Sequence, residues 1–206
     1  SGRFAAIDTF ARSTLPPAAR LTDLSRCTIV PPLVDSHVHL SLSGTSDQEA
    51  RQRQLLAGYD AIRSLIARTI RSAFAHGVLA LRDGGDAHGH VLRSVRENEF
   101  RENEPVLVKT AGRAWHRAGR YGSMLGRHPG DAETLASAFA RDPDPADQVK
   151  VINSGPNSLT AFARETPPQF SLDEMQELVR LAGQRGKKVM VHANGELPVR
   201  LALEAG

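Results

Sequence analysis

Cysteine is almost missing from this chain: Cys27 is the only one in 206 residues, so no internal disulfide can form. Also absent is any run of about 18 apolar residues, which argues against a membrane-spanning helix. The N-terminus lacks the basic-then-apolar layout of a signal peptide. These absences make a reducing, cytoplasmic setting the expectation, although Ser1 need not be the natural start. Lysine is scarce as well, at four residues, so the net charge of +3 rests on arginines interleaved with acids. Scattered in this way they read as solvated faces, which speaks against a nucleic-acid partner and against a membrane partner.

What remains, 40% hydrophobic and 24% charged residues, is the makeup of an ordinary globular protein with a sizeable core. Residues 1–30 read as short extended pieces: a strand over Gly2–Ile7, a turn at Pro16-Pro17 and weak alternation from Arg20 to Ile29. They are assigned to part of a small flanking β-sandwich domain, and residues 31–206 to a second domain. From Thr28 a short apolar strand runs straight into Asp-Ser-His-Val-His, the pattern of a buried parallel strand with its chemistry at the C-terminal end.

A strand-then-helix cycle follows. Gln48–Ala75 keeps a helical period closed by His76-Gly77, and Val78–Leu81 is a strand ending at Arg82-Asp83-Gly84-Gly85. A helix near Gly89–Glu99, a strand Val106–Thr110, a helix Asp131–Arg141 and a strand Val149–Ile152 come next. Ser171–Glu174 is a capping box opening a helix to about Arg185, Lys187–His192 is a fifth strand, and Glu196–Ala205 starts another helix. Five such repeats without a hairpin signal predict an α/β fold with parallel strands, either an open sheet or part of a (β/α)8 TIM-like barrel. Ligand-type residues at several strand ends and long loops at 112–130 and 154–170 favour the barrel. A complete barrel takes about 250 residues, so the reading is an incomplete one whose remaining C-terminal part is a necessary partner.

His37 and His39 lie two apart on an extended segment and share a face, so one divalent ion can bridge them. Lys150 sits inside the apolar run Val149–Ile152, where an ammonium is costly, and His192 ends the apolar run Val189–Val191. A lysine deprotonated by burial can react with carbon dioxide, and the carbamate replaces a cation by an anionic oxygen ligand. The bland alternative is a lysine snorkelling to solvent or paired with an acid.

The stretch from Ile29 to Leu40, Ile-Val-Pro-Pro-Leu-Val-Asp-Ser-His-Val-His-Leu, resembles the first-strand metal motif of the metal-dependent amidohydrolase superfamily. Gly77–Gly85 is similar to its second strand, Val149–Gly155 to the strand bearing a carboxylated lysine, and Val189–Gly195 to the fifth-strand histidine. Nearly the whole chain is covered in order, and the bacterial group that includes imidazolonepropionase-like and Xaa-Pro or Xaa-Arg dipeptidase-like members is the one it looks like. The resemblance implies a hydrolase of C–N bonds in a small amide, dipeptide-like or cyclic amide substrate. It implies two divalent metal ions, of which zinc is the first choice, with His37 and His39 on one, His192 on the other and carboxylated Lys150 bridging them. It further implies attack by a metal-activated hydroxide, the two cations lying about 3.5–4 Å apart. The family's sixth-strand histidine and eighth-strand aspartate lie beyond Gly206, so the 206 residues alone are expected to be inactive.

Around this set, Asp35 shares the face of the histidine pair and is placed either to orient a ligand or to cap the strand end. Arg82 and Asp83 read as a structural ion pair. His116, Tyr121, Asn153 and Asn194 follow ligand strands and are the candidates for substrate binding, with His116 first among the 112–130 loop residues. His88-Gly89-His90 repeats the spacing without an apolar strand and reads as an exposed loop; His76 reads as a helix C-terminal residue. Two other functions stay open: a single-metal deaminase, against which Lys150 argues, and a non-catalytic barrel homologue acting in assembly. A nucleotide-binding sheet would want a glycine-rich turn after the first strand, where this chain has His-Val-His-Leu-Ser. Homo-oligomerisation is compatible with all of these.

Overall fold

The computed structural model describes residues 6–9, 11, 15–97, 105–143, 145–156 and 164–206. The chain divides into two units, Ser1–Pro31 and Pro32–Gly206. In the first, the described residues form turns, closed where Ala19 N–H donates to Pro16 O and Cys27 N–H to Leu24 O, both at 2.9 Å. No helix or strand occurs among them. Most of the strand expected over residues 2–7 lies outside the described residues. The weak alternation of Arg20–Ile29 is interrupted by a local turn in which Asp23 Oδ1 accepts from Ser25 N–H at 2.9 Å.

The second unit alternates strand and helix: β1 (Leu33–Val38), α1 (Gln48–Leu56), α2 (Tyr59–Ala75), β2 (Val78–Asp83), α3 (His90–Glu97), β3 (Leu107–Lys109), β4 (Ala114–Trp115), β5 (Gly126–Arg127), α4 (Leu135–Ala140), β6 (Val149–Ile152), α5 (Leu172–Gln184), β7 (Val189–His192) and α6 (Glu196–Glu204). Every strand pairing is parallel, in the orders β1-β2-β3 and β5-β4-β6-β7. The two ladders meet where Gln148 N–H donates to Thr110 O at 3.2 Å and Thr110 N–H donates to Asp147 Oδ2 at 2.9 Å.

The long period of residues 48–75 is two helices rather than one. Ala57 and Gly58 both take extended backbone, with ψ of 142° and 167°, and Gly58 becomes the N-cap of α2. Glycine is poor in a helix interior and acceptable at an N-cap, so the chain breaks there. The helix expected over 131–141 begins only at its cap, Thr134, whose side chain accepts from Ser137 N–H at 3.1 Å. The third strand is also longer than its hydrophobic run: after a bend at Gly112, with φ +61°, the chain resumes as β4 and pairs Trp115 with Val151. The 112–130 loop therefore holds two short strands. The capping box forms as read, with Glu174 N–H on Ser171 Oγ at 3.3 Å and Ser171 N–H on Glu174 Oε2 at 3.0 Å.

Two cores hold the helices on the strands. The α2 stripe of Ile62, Leu65, Ile66 and Ile70 packs with Leu81 and Val108. Leu135, Phe139, Met175 and Leu178 pack with Val149 and Val151 in the other. Each such fully buried aliphatic side chain contributes roughly 1.5–3 kcal/mol, and the result is a set of parallel strands whose C-terminal ends open on one side. Among the described residues no helix is long and apolar enough to cross a membrane.

Candidate metal centre

His37 and His39 stand at the C-terminal end of β1, their ring centroids 5.4 Å apart and their planes tilted by 58°. The end of β2 passes directly beneath them. Asp83, fully buried, accepts from Leu40 N–H at 3.1 Å and from Gly85 N–H at 2.8 Å. Gly84 N–H donates to Val38 O at 2.6 Å. The expected pair with Arg82 does not form, because adjacent strand residues point to opposite faces. Arg82 Nε donates instead to Ser36 O at 2.7 Å. Asp35 Oδ1 accepts from His37 backbone N–H at 3.1 Å, so the carboxylate holds the strand end and not an imidazole.

Lys150 comes to the same place from the centre of the other ladder. It is 1% exposed, and its Nζ lies 3.2 Å from His37 Nε2 and 3.3 Å from Met190 Sδ. Neither partner is an anion. Burial first, then repulsion from Arg82, pushes its pKa from 10.5 down to about 8, against the pull of Asp83. The imidazoles respond in kind. His37 falls to about 4, through burial and the positive charges of Lys150, His39, His192 and Arg82. His39 and His192 are also held below their ordinary value by burial and by Lys150, against the hydrogen bonds that each makes to a carbonyl. Burial raises Asp83 to about 7, against the hydrogen bonds from Leu40 and Gly85.

His192 ends β7 opposite Ile152. It is near enough to feel Lys150, but its Nε2 lies 3.1 Å from Gly155 O and 3.2 Å from Asn194 Nδ2, which itself donates to Gly155 O at 3.0 Å. The structure thus brings His37, His39 and Lys150 together and leaves His192 turned to its own strand-end loop. Among the described residues no three His, Cys, Asp or Glu side chains converge on one point. The donor set nevertheless fits a divalent cation. His37 and His39 are held below their ordinary pKa, which favours the ligating neutral form, and the Nζ of Lys150 already lies against His37 Nε2.

The four residues read as substrate contacts divide. Tyr121 lies against His192 with its ring tilted by 47° and the centroids 5.7 Å apart, and Asn194 flanks the same ring. His116 is buried, with Nδ1–H donating to Arg117 O at 2.9 Å. Asn153 is fully buried and fastens a loop, its Oδ1 accepting from Gln169 N–H at 3.0 Å and Phe170 N–H at 2.7 Å. Its Nδ2 has no partner among the described residues. His88 is exposed. His90 opens α3, capped by Asp86, whose Oδ1 accepts from His90 N–H at 3.0 Å. His76 caps α2. Sequence reading noted Asp83, Gly84 and Gly85 as a strand end but missed their place under the histidine pair. The signal available was the position of Asp83 two after Leu81, on the inward face of β2.

The amidohydrolase family profile matches residues 28–202. No curated protein matches the chain in sequence. Among solved structures, an amidohydrolase is similar at 22% identity over 93% of this chain and 50% of its own, with a TM-score of 0.67. A prolidase complexed with N-methylphosphonate-L-proline is similar at 18% identity over 91% of this chain and 50% of its own, with a TM-score of 0.63. A Xaa-Pro dipeptidase with bound methionine in the active site is similar at 22% identity over 85% and 46%, with a TM-score of 0.59. The chain spans about half the length of these proteins. The likenesses show the fold, parallel strands and helices that make part of a (β/α)8 barrel, and the profile match shows the lineage: the chain belongs to the amidohydrolase family.

Proposed function

We propose that the intact protein hydrolyses a C–N bond in a small amide or dipeptide-like substrate, at a metal centre begun by His37, His39, Lys150 and His192. The observation that carries this is Lys150: an amine buried in a strand, without an anionic partner in its hydrogen bonds, set 3.2 Å from His37 Nε2. Structural lysines are held by acids or reach solvent; this one is held ready for chemistry.

With its pKa brought to about 8, a substantial fraction of Lys150 is neutral near that pH. The free amine attacks carbon dioxide, an N–C bond forms, one proton leaves, and the side chain ends as a carbamate anion. A repulsive cation in a group of imidazoles becomes an oxygen donor that the same imidazoles complement across a metal. His37 and His39 would hold one ion, His192 the second, and carboxylated Lys150 would lie between them; zinc suits the imidazole-rich set. Two divalent ions, when bound, supply an activated water and polarise the scissile carbonyl.

The chain's own residues then shape the substrate space. Tyr121 and Asn194, which flank His192, would meet the substrate beside it, and the buried His116 and Asn153 would complete the set. The dipeptidase and prolidase likenesses support a dipeptide-like substrate. The same reading assigns residues 1–30 to a small flanking β domain and 31–206 to the barrel, and requires the later barrel units to complete the site. Assay of the intact protein against dipeptides and N-acyl amino acids, by release of free amine, tests the proposal. Release that is lost in Lys150→Ala supports it; release that persists unchanged in that variant contradicts it.

A further inference from the structure

The turn after β2 is fixed by two carboxylates, Asp83 on its own Gly85 N–H and Asp86 on the first N–H groups of α3, and its backbone reaches β1, the histidine pair and the chain after β3. Gly84 N–H is on Val38 O at 2.6 Å, Asp86 N–H is on Gly112 O at 3.0 Å, and Gly85 N–H is on Asp83 Oδ2 at 2.8 Å. Gly85 O lies 2.8 Å from His39 Nδ1. A carbonyl can only accept, so Nδ1 carries the proton and Nε2 is left with its lone pair. The Cε1–Nε2 edge of that ring lies over Gly84: a Cβ built there would lie 2.6 Å from His39 Cε1, 2.9 Å from His39 Nε2 and 3.2 Å from His37 Nε2. The two ring nitrogens therefore converge over one glycine, the residue that follows β2.

From this we infer that Gly84 and Gly85 are positioning residues: the Gly85 carbonyl selects the His39 nitrogen that faces the ligand, and the missing Gly84 side chain leaves the room in which both Nε2 atoms meet. The inference rests on the reading of His37 and His39 as metal ligands. The two glycines serve for different reasons. Gly85 has φ +87° and a Cβ there would lie 2.5 Å from Gly112 O, so any other residue disturbs the backbone itself. Gly84 is outside the left-handed region, and the atoms nearest its virtual Cβ are all imidazole atoms. An alanine at 84 is thus acceptable to the backbone and contests only the rings.

The test is zinc affinity of the intact protein, by competition with a chelator, for wild type, Gly84→Ala and the His37→Ala/His39→Ala double variant, with the melting temperature of each metal-free protein and the side-chain ¹⁵N shifts of His39. Gly84→Ala should bind zinc at least about tenfold more weakly, as expected when a group that orients a ligand is disturbed. Its metal-free melting temperature should equal that of wild type, and wild-type His39 should be the Nδ1–H tautomer. Wild-type affinity in Gly84→Ala, a loss of affinity matched by a loss of metal-free stability, or an Nε2–H tautomer of His39 overturns the inference. If the double variant loses zinc while Gly84→Ala keeps it, the positioning role alone fails. If the double variant also binds as wild type does, the metal reading fails and the positioning role with it.

Discussion

Strands β1 and β6 each deliver ligand-type side chains to the same place, yet they are built in opposite ways. In β1, Leu33 is 57% and Val34 64% exposed, and its one partner among the described residues is β2. All four residues of β6 are buried, between β4 and β7. The chemistry asked of each strand explains why this is workable. An imidazole, with an ordinary pKa of 6.5, is already mostly neutral at pH 7 and can ligate from an open strand end. A lysine, at 10.5, must be driven down before it can react, and desolvation in the middle of a ladder, helped by repulsion from Arg82, supplies that. Within this chain the deeper burial is at the strand of the less willing donor; the open flank of β1 is where the proposed later barrel units would pack.

The contrast can be sharpened by stability measurements on this chain. Ile152→Ala removes a fully buried side chain and should cost about 2–5 kcal/mol in denaturant unfolding, whereas Leu33→Ala, on the exposed strand, should cost within about 0.5–1 kcal/mol. Equal costs would break the comparison. The cover over β6 is anchored by the cap of α5, so Ser171→Ala should lose about 1 kcal/mol, more than any exposed substitution on β1. The smallest effect sits where the two ladders meet. Burial alone would raise Asp147, but hydrogen bonds from Thr110 N–H and from Lys109 bring it below its ordinary 3.8. A carboxyl depressed in the folded state contributes stability above its unfolded pKa, and that contribution fades as pH falls from about 3.8 through the lower folded value. With both partners partly exposed it amounts to ~0.2–1 kcal/mol, and Asp147→Asn should flatten the acid limb of the stability–pH curve by that amount.

Much of this architecture was legible because it depends on local pattern. The 3.6-residue stripe of α2, the Ser171–Glu174 capping box and the apolar runs at 149–152 and 189–192 each carry their own signal in consecutive residues. The histidine pair and Lys150 were readable for the same reason: a polar residue in or after an apolar strand is anomalous. What escaped depends on register and on space. The helix break at Ala57-Gly58 lies within an apolar period that runs across it, and its one sequence signal is Gly58. The continuation of the third strand as β4 depends on Trp115 finding Val151 across a bend. The role of Asp83 depends on which face of β2 meets Leu40, and a sequence of Arg-Asp invites the pairing of neighbours that the strand geometry forbids. The Gly84-Gly85 cradle could be read as a turn, but not as a turn shaped to two imidazoles.

The central claim is that this barrel face is a metal site built on His37, His39 and Lys150. Elemental analysis of the intact protein, purified with zinc and bicarbonate, tests it most directly. The account predicts about two divalent ions per chain, falling sharply both in the His37→Ala/His39→Ala double variant and in Lys150→Ala. A wild-type protein that takes up no metal under these conditions, or variants that retain it in full, would contradict the account.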